Sequence, residues 1–328
     1  MPKVTVIIPN YNHARFLQQR IQSVLNQTYQ DFEVIYLDDA STDNSNEVFA
    51  SFADDQRVRA IYNETNSGSP FKQWNKGIRQ ATGEYIWIAE SDDYADEKLL
   101  ATLVDRLDRY PQAGLAYAQS WAVDKSGKVG GSWLTWTDGL DKERWQHDFV
   151  ANGQEECRKF LVFRNTIPNA SAVLLRRNVY EKTGFADATL RLNGDWLQWI
   201  KMLLISDLVF VAQPLNYFRT HNRSVRHTSR IAGIQESYLI QKYLQRHLRL
   251  PPQVVASVTA SLFYQWSEYA LFPPGATVWK FWRQNLKIYR LARQVDRRVT
   301  LRLMRRLGIF LLDKLGCLKF LRAFWRTS

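Results

Sequence analysis

Apolar runs alternate with amphipathic stretches through the first half of the chain. Val4-Thr5-Val6-Ile7-Ile8 is β-branched and stops at Pro9-Asn10-Tyr11-Asn12. It predicts a buried strand over 3–9. Phe16, Leu17, Ile21, Val24 and Leu25 then recur at helical spacing, and Gln27-Thr28-Tyr29 closes that helix. Further strands are expected at 33–37, 58–62 and 84–89, with helices around 46–53 and 72–80 between them. Ser41 or Asp43 is placed to cap the first of these helices, and Asn66-Ser67-Gly68-Ser69-Pro70 reads as a turn. This βαβαβ alternation predicts an α/β fold: a single Rossmann-like domain with a mostly parallel central sheet flanked by helices.

Beyond Asp93 the pattern predicts a helix over 96–110, strands at 115–118, 121–123 and 173–175, a helix over 195–204, and short strands at 208–211 and 216–219. The stretch 130–148 is loop-like, rich in Trp and Gly, and suits a binding edge. From Ile234 onward the periodicity is helical. The expected division is a catalytic domain over 1–228 and a helical, basic, amphipathic region over 229–328.

Two of the strands end in acid. Val34-Ile35-Tyr36-Leu37 runs into Asp38-Asp39, and Tyr85-Ile86-Trp87-Ile88-Ala89 runs into Glu90-Ser91-Asp92-Asp93. Ligands of open α/β sheets bind outside the carboxyl ends of the strands, so both clusters should face one crevice. Carboxylates so crowded call for a counter-charge, and Mg²⁺ and Mn²⁺ favour oxygen ligands.

The 328 residues suffice for a large domain with a full core, and 45% hydrophobic with 23% charged residues describes a folded chain. The two cysteines, Cys157 and Cys317, lie far apart with no metal-ligand spacing and read as reduced thiols. No signal peptide is expected, and no apolar run reaches the ~18 residues that span a bilayer. The net charge of +12 is local: residues 276–328 hold 14 Lys+Arg against 2 Asp+Glu, leaving 30 of each in residues 1–275.

Taken in order, these segments resemble the family 2 glycosyltransferases: Val4-Thr5-Val6-Ile7-Ile8-Pro9-Asn10-Tyr11-Asn12, Ser23-Val24-Leu25-Asn26-Gln27-Thr28-Tyr29, Asp38-Asp39-Ala40-Ser41-Thr42-Asp43, Asn75-Lys76-Gly77-Ile78, Ala81-Thr82-Gly83-Glu84 and Glu90-Ser91-Asp92-Asp93. Each piece alone is common; the ordered set, over roughly residues 3–225, is specific. The resemblance implies a glycosyltransferase A-type fold, a nucleotide-diphospho-sugar donor with UDP favoured, a divalent cation (Mn²⁺ or Mg²⁺), and transfer with inversion.

It also implies roles. Asp39, with Asp38 beside it, matches the acidic position that reads the nucleobase, and Pro9 and Tyr11 shape the base pocket. Glu90-Ser91-Asp92 matches the Asp-x-Asp motif with Glu in the first place; Glu90 and Ser91 fall on the donor side and Asp92 on the metal. Asn193-Gly194-Asp195 matches the pair that opens a helix with the catalytic base, Asp195. Trp196 and Trp199 either offer flat faces to an acceptor sugar or pack in the core as part of a Trp-rich helix. Tyr217-Phe218-Arg219-Thr220-His221 resembles a late loop in which Arg219 meets the diphosphate and His221 the metal or the diphosphate. The Gln-x-x-Arg-Trp signature of processive relatives is missing, which disfavours a polymer synthase.

In the basic region, Val299, Leu303, Met304, Leu307, Phe310 and Leu311 are expected on one helical face, with Arg298, Arg302, Arg305 and Arg306 opposite. Such a helix suits an anionic membrane surface, here through residues 279–328. No nucleic-acid-binding module is recognisable. The expected function is therefore a metal-dependent enzyme of surface-glycan synthesis (lipopolysaccharide, capsule or exopolysaccharide), acting on a glycan or lipid-linked acceptor. Its expected location is peripheral, on the cytoplasmic face of the plasma membrane. The alternative is a non-catalytic, membrane-associated partner that keeps the donor pocket. A nucleotidyltransferase would want a Gly-rich basic loop after the first strand, which Pro9-Asn10-Tyr11-Asn12 is not.

Overall fold

The computed structural model describes residues 1–220, 230–271 and 281–314. The chain divides into two compact units, Met1–His227 and Thr228–Ser328.

The first unit is built on one ten-stranded sheet. Its strands are β1 (Val4–Asn10), β2 (Phe32–Asp38), β3 (Val58–Tyr62), β4 (Tyr85–Ile88), β5 (Tyr94–Ala95), β6 (Ala113–Val123), β7 (Val129–Ser132), β8 (Phe149–Ala151), β9 (Val173–Arg176) and β10 (Asp207–Arg219). Its helices are α1 (Ala14–Leu25), α2 (Ser45–Ala50), α3 (Pro70–Gln80), α4 (Leu99–Arg109), α5 (Gly153–Glu156), α6 (Arg177–Lys182) and α7 (Gly194–Leu203). The sheet order is β3-β2-β1-β4-β9-β6-β10-β5, with β7 on β6 and β8 on β10. The pairings among β3, β2, β1 and β4 are parallel; β9 inserts antiparallel between β4 and β6. This is the expected α/β class, with a mixed rather than mostly parallel sheet.

The parallel half behaves as its sequence requires. Every residue of β1 and β4 is buried, which is why these strands read as continuous apolar runs. The register sets Asn10 beside Asp38 and Ile7 beside Ile88, so the segments after β1, β2 and β4 emerge at one edge.

Two pairs of expected short strands are continuous. The segments at 115–118 and 121–123 merge into β6, and those at 208–211 and 216–219 into β10. Pro214 does not break β10 because the register shifts on both sides of it, giving a residue with no N–H an irregular place in the ladder. The expected loop at 130–148 contains part of β7 and two 3₁₀ turns, Trp133–Trp136 and Arg144–Gln146.

The second unit is helical: α8 (Arg230–His247), α9 (Pro252–Trp266), α10 (Trp282–Val295) and α11 (Val299–Lys314). Ile234, Tyr238, Ile240, Leu244, Val258, Phe263, Trp266, Ile288 and Ala292 are buried in it. The face expected on α11 is split. Val299 is buried, whereas Met304, Leu307 and Leu311 of the same expected face are exposed; Leu301 and Leu312, outside it, are exposed as well. Arg302 pairs with Asp296 at 3.2 Å and Arg306 with Glu268, so these two guanidiniums follow their carboxylates instead of joining a solvated cationic face. No helix among the described residues is long and apolar enough to cross a membrane.

Candidate functional site

A cleft of about 840 Å³ opens in the first unit, at the edge where β1, β2 and β4 end. Pro9, Tyr11, Asp39, Glu90, Ser91, Asp92, Asp195 and Arg219 all line it. Asp38 does not; its carboxylate accepts from Asn10, from the Tyr36 hydroxyl at 3.1 Å and from the Ser41 amide at 2.8 Å. Of the two neighbouring aspartates, one braces the turn and the other faces the cleft. The turns are unusual: Asn12 and Ala40 are non-glycine residues with φ of 57° and 61°. Such backbone needs support. Asn12 receives it from Ser41 and Thr42, and the carbonyl of Asp39 from Asn66.

Asp39 is buried and holds a dense set of donors. Its oxygens accept from Asn63 at 2.6 Å, from Gln73 at 2.8 Å, and from the amide and hydroxyl of Ser67 at 2.9 and 2.8 Å. Gln73 and Ser67 were not singled out from the sequence; a turn and a helix 28 and 34 residues downstream deliver them.

The second cluster is arranged around buried charge. Burial, reinforced by Asp92, pushes the Glu90 carboxyl up to about 8, against the hydrogen bond it accepts from Trp74 Nε1 at 2.7 Å. Burial and Asp92 also push Asp93 up to about 6. Asp93 accepts from the Ser171 hydroxyl at 2.7 Å and the Arg219 amide at 2.8 Å. Beneath the cluster lies Arg20, fully buried, whose Nε donates to the Glu90 carbonyl at 2.8 Å. Burial lowers Arg20 to about 10, while Asp93, Asp92 and Glu90 pull it back up. On the sequence Arg20 was one polar residue in an amphipathic helix, and nothing local marked it as the counter-charge.

Arg219 also braces this loop. Its three guanidinium nitrogens donate to the carbonyls of Asp92 and Asp124 and to Gln19 Oε1, at 2.8 to 3.0 Å. Arg191 brings a second cation to the cleft lining. Lys72 instead donates to the Ser67 carbonyl at 3.0 Å. His221 lies outside the described residues, as do Trp279, Phe320, Phe324 and Trp325 of the basic region.

Asp195 stands in the first turn of α7. Its Oδ1 accepts from the Trp196 amide at 2.7 Å and its Oδ2 from Asn165 at 3.1 Å. Gly194 before it is required by packing: a Cβ there would sit 2.4 Å from the ring of Phe71. Trp196 and Trp199 turn inward, donating to the carbonyls of Leu161 and Ile167, and offer no face to an acceptor. The aromatic side chains lining the cleft include Tyr11, Phe71, Trp74, Trp133 and Phe218.

Among the described residues no three His, Cys, Asp or Glu side chains gather as a metal site. A cation that arrives with a diphosphate needs only one or two carboxylates, the rest of its shell coming from phosphate and water. Asp92 in the cleft wall, with Glu90 two residues before it, fits that donor set.

The cleft and its carboxylates lie at the strand ends of a mixed α/β sheet, where open α/β folds bind their ligands. Residues 5–183 match the family model "Glycosyl transferase family 2", and the chain belongs to that family. It is 29% identical over 228 residues to glycosyltransferase GlyG of Streptococcus pneumoniae, covering 69% of this chain and 73% of that one. The fold is shared with Staphylococcus aureus TarS, solved with UDP-GlcNAc: TM-score 0.68 at 16% identity over 90% of this chain and 82% of that one. It is shared too with the mannosyltransferase PcManGT of Pyrobaculum calidifontis, solved with GDP-Man and Mn²⁺: TM-score 0.57 at 17% identity, 91% and 87% covered.

Proposed function

We propose that this glycosyltransferase is metal-dependent and inverting. It moves a sugar from a UDP-sugar to a hydroxyl of a glycan or lipid-linked acceptor, in the synthesis of lipopolysaccharide, capsule or exopolysaccharide. The observation that carries this reading is that Asp39, Asp92 and Asp195, far apart in sequence, line one cleft. UDP is favoured because TarS binds UDP-GlcNAc, and a cation because PcManGT was solved with Mn²⁺.

In this reading Pro9, Tyr11 and Asp39 take the nucleobase, Glu90 contacts the ribose, and Ser91 lies beside it on the donor. Asp92 holds the cation, with His221 as a further ligand and Arg219 on the diphosphate side. The bound cation supplies positive charge where the departing diphosphate gathers negative charge. Asp195 takes the proton of the acceptor hydroxyl, whose oxygen attacks the anomeric carbon opposite the breaking bond to the diphosphate. The configuration at that carbon inverts. Residues 1–228 carry the reaction, and 279–328, within the helical region 229–328, hold the enzyme at the inner face of the plasma membrane.

Melting curves with UDP-, GDP- and dTDP-sugars, with and without Mn²⁺, test the donor and the metal together. Mn²⁺-dependent stabilisation by one donor class is expected, lost in Asp92→Asn; stabilisation that persists in that variant removes the metal assignment. Release of nucleoside diphosphate should fall roughly 10²–10⁴-fold in Asp195→Asn. A wild-type chain that binds donor yet releases none would be the non-catalytic partner.

A further inference from the structure

We propose that Trp133, Asn169 and Thr166 form an acceptor subsite that seats a terminal pyranose: its ring stacks on Trp133 and one of its oxygens enters a recess behind that indole. The proposal rests on the transferase reading above and names the acceptor class for the same cleft.

The recess adjoins the cleft, and Trp133, Pro168 and Asn169 line both. Most of its wall is satisfied. Trp145 Nε1 donates to the Tyr117 hydroxyl at 2.9 Å, and Trp136 Nε1 to the Asn165 carbonyl at 2.7 Å. Three lining atoms are not: Trp133 Nε1, Asn169 Nδ2 and Thr166 Oγ1 are buried with no hydrogen-bond partner. Buried polar groups are nearly always paired, so three together mark a place for an occupant.

The chemistry of that occupant follows from the donors. An indole N–H and an amide NH₂ only donate. The Asn169 amide is oriented by its own cap, because its Oδ1 accepts from the Ser171 amide at 2.8 Å. The occupant must therefore present oxygen lone pairs. A sugar oxygen does, and an ammonium group does not.

The position relative to the reaction follows from Asn165. Its side chain donates to Asp195 and its carbonyl accepts from Trp136, so one residue joins the proposed base to the tryptophan segment. Thr166 and Asn169 follow within four residues. The platform is also held before any ligand arrives. Trp133 packs on Phe218 at 4.9 Å between centroids and meets Trp136 edge-on at 5.7 Å. A flat, fixed indole suits the C–H face of a pyranose and loses little freedom on stacking. An open-chain polyol phosphate has no such face.

The test is saturation-transfer NMR on the full chain in the presence of UDP and, separately, GDP. The probes are methyl β-glycosides of glucose, galactose and N-acetylglucosamine, with ribitol 5-phosphate as the comparator. At least one pyranoside should bind through its ring C–H protons, more tightly than the polyol phosphate. Trp133→Leu should weaken it at least tenfold. Asn169→Asp, which keeps the cap oxygen and deletes the donor, should weaken it about fivefold. Should Trp133→Leu fail to fold, Trp133→Phe and Asn169→Asp decide. The subsite is overturned if no pyranoside binds, or if these variants bind it as wild type does, the recess then holding only water. Nucleotide binding with no pyranoside binding overturns the subsite alone; loss of both in the wild type overturns the transferase reading with it.

Discussion

The indole N–H of Trp74 donates to Glu90 Oε1 at 2.7 Å, so α3 holds the loop that follows β4. The family's motif has Asp in the place of Glu90, and an aspartate there would be one methylene short of the indole. Glu90→Asp should therefore weaken rather than restore the site. The expected loss is about 1–3 kcal/mol of stability, the usual penalty for an unpartnered buried donor, together with weaker donor binding. Urea denaturation and a nucleotide titration of the variant check it; unchanged values would mean that Trp74 finds another partner.

Asp39 accepts four hydrogen bonds, two of them from Ser67. Asp39→Asn turns one acceptor oxygen into a donor aimed at donors. Stability should fall by roughly 1–3 kcal/mol. Nucleotide affinity should fall at least tenfold, readable by calorimetry against UDP and GDP.

Arg20 supplies the buried positive charge beneath Glu90, Asp92 and Asp93. Arg20→Met leaves that loop without its counter-charge, and breaking a buried charge cluster in this way costs about 3–5 kcal/mol. Mn²⁺ should recover more melting temperature in the variant than in the wild type, because the cation replaces the missing charge. Equal Mn²⁺ shifts in the two proteins would separate Arg20 from the metal site.

Glu156 is buried against Arg144, which donates to it at 2.6 Å. Burial pushes its carboxyl up to about 7, against the pull of Arg144. As pH rises, the unfolded chain gives up this proton near its ordinary value of about 4.3, while the native state keeps it until about 7. Stability from this group is full below the lower value and is lost through the upper one. Glu156→Gln has no such titration, so its stability relative to wild type should improve between those limits, by at most about 4 kcal/mol. Denaturation series of both proteins from low to high pH would expose a flat difference if the group titrates normally.

The membrane proposal now points to particular leucines. Leu301 is 68% exposed and Leu311 51% exposed. Leu301→Glu with Leu311→Glu should cut co-sedimentation with phosphatidylglycerol vesicles severalfold while leaving the buried Val299 face untouched. Equal partitioning of the two proteins would remove the assignment of this face.

The strands of the parallel half, the helices between them and the acidic ends of β2 and β4 were all legible in the chain. They follow from local rules: β-branched runs bury on both faces, helical spacing makes one apolar face, and a charge cannot continue a buried strand. The same locality left the continuity of β6 and β10 unread, since their second halves depend on strands paired from elsewhere.

Side-chain destinations depended on the packed structure. Asp38 and Asp39 are adjacent and chemically identical, yet register puts Asn10 against the first, while Ser67 and Gln73 fold over the second. Trp196 and Trp199 look like sugar platforms in a motif and are core residues; Trp133, in the Trp- and Gly-rich stretch that suited a binding edge, lines the cleft. Arg20 meets Glu90 across a separation of 70 residues. A short-range pattern specifies which face of an element is apolar. Which charge or ring then meets which partner is decided only when distant segments pack together, because burial and electrostatics act through space rather than along the chain.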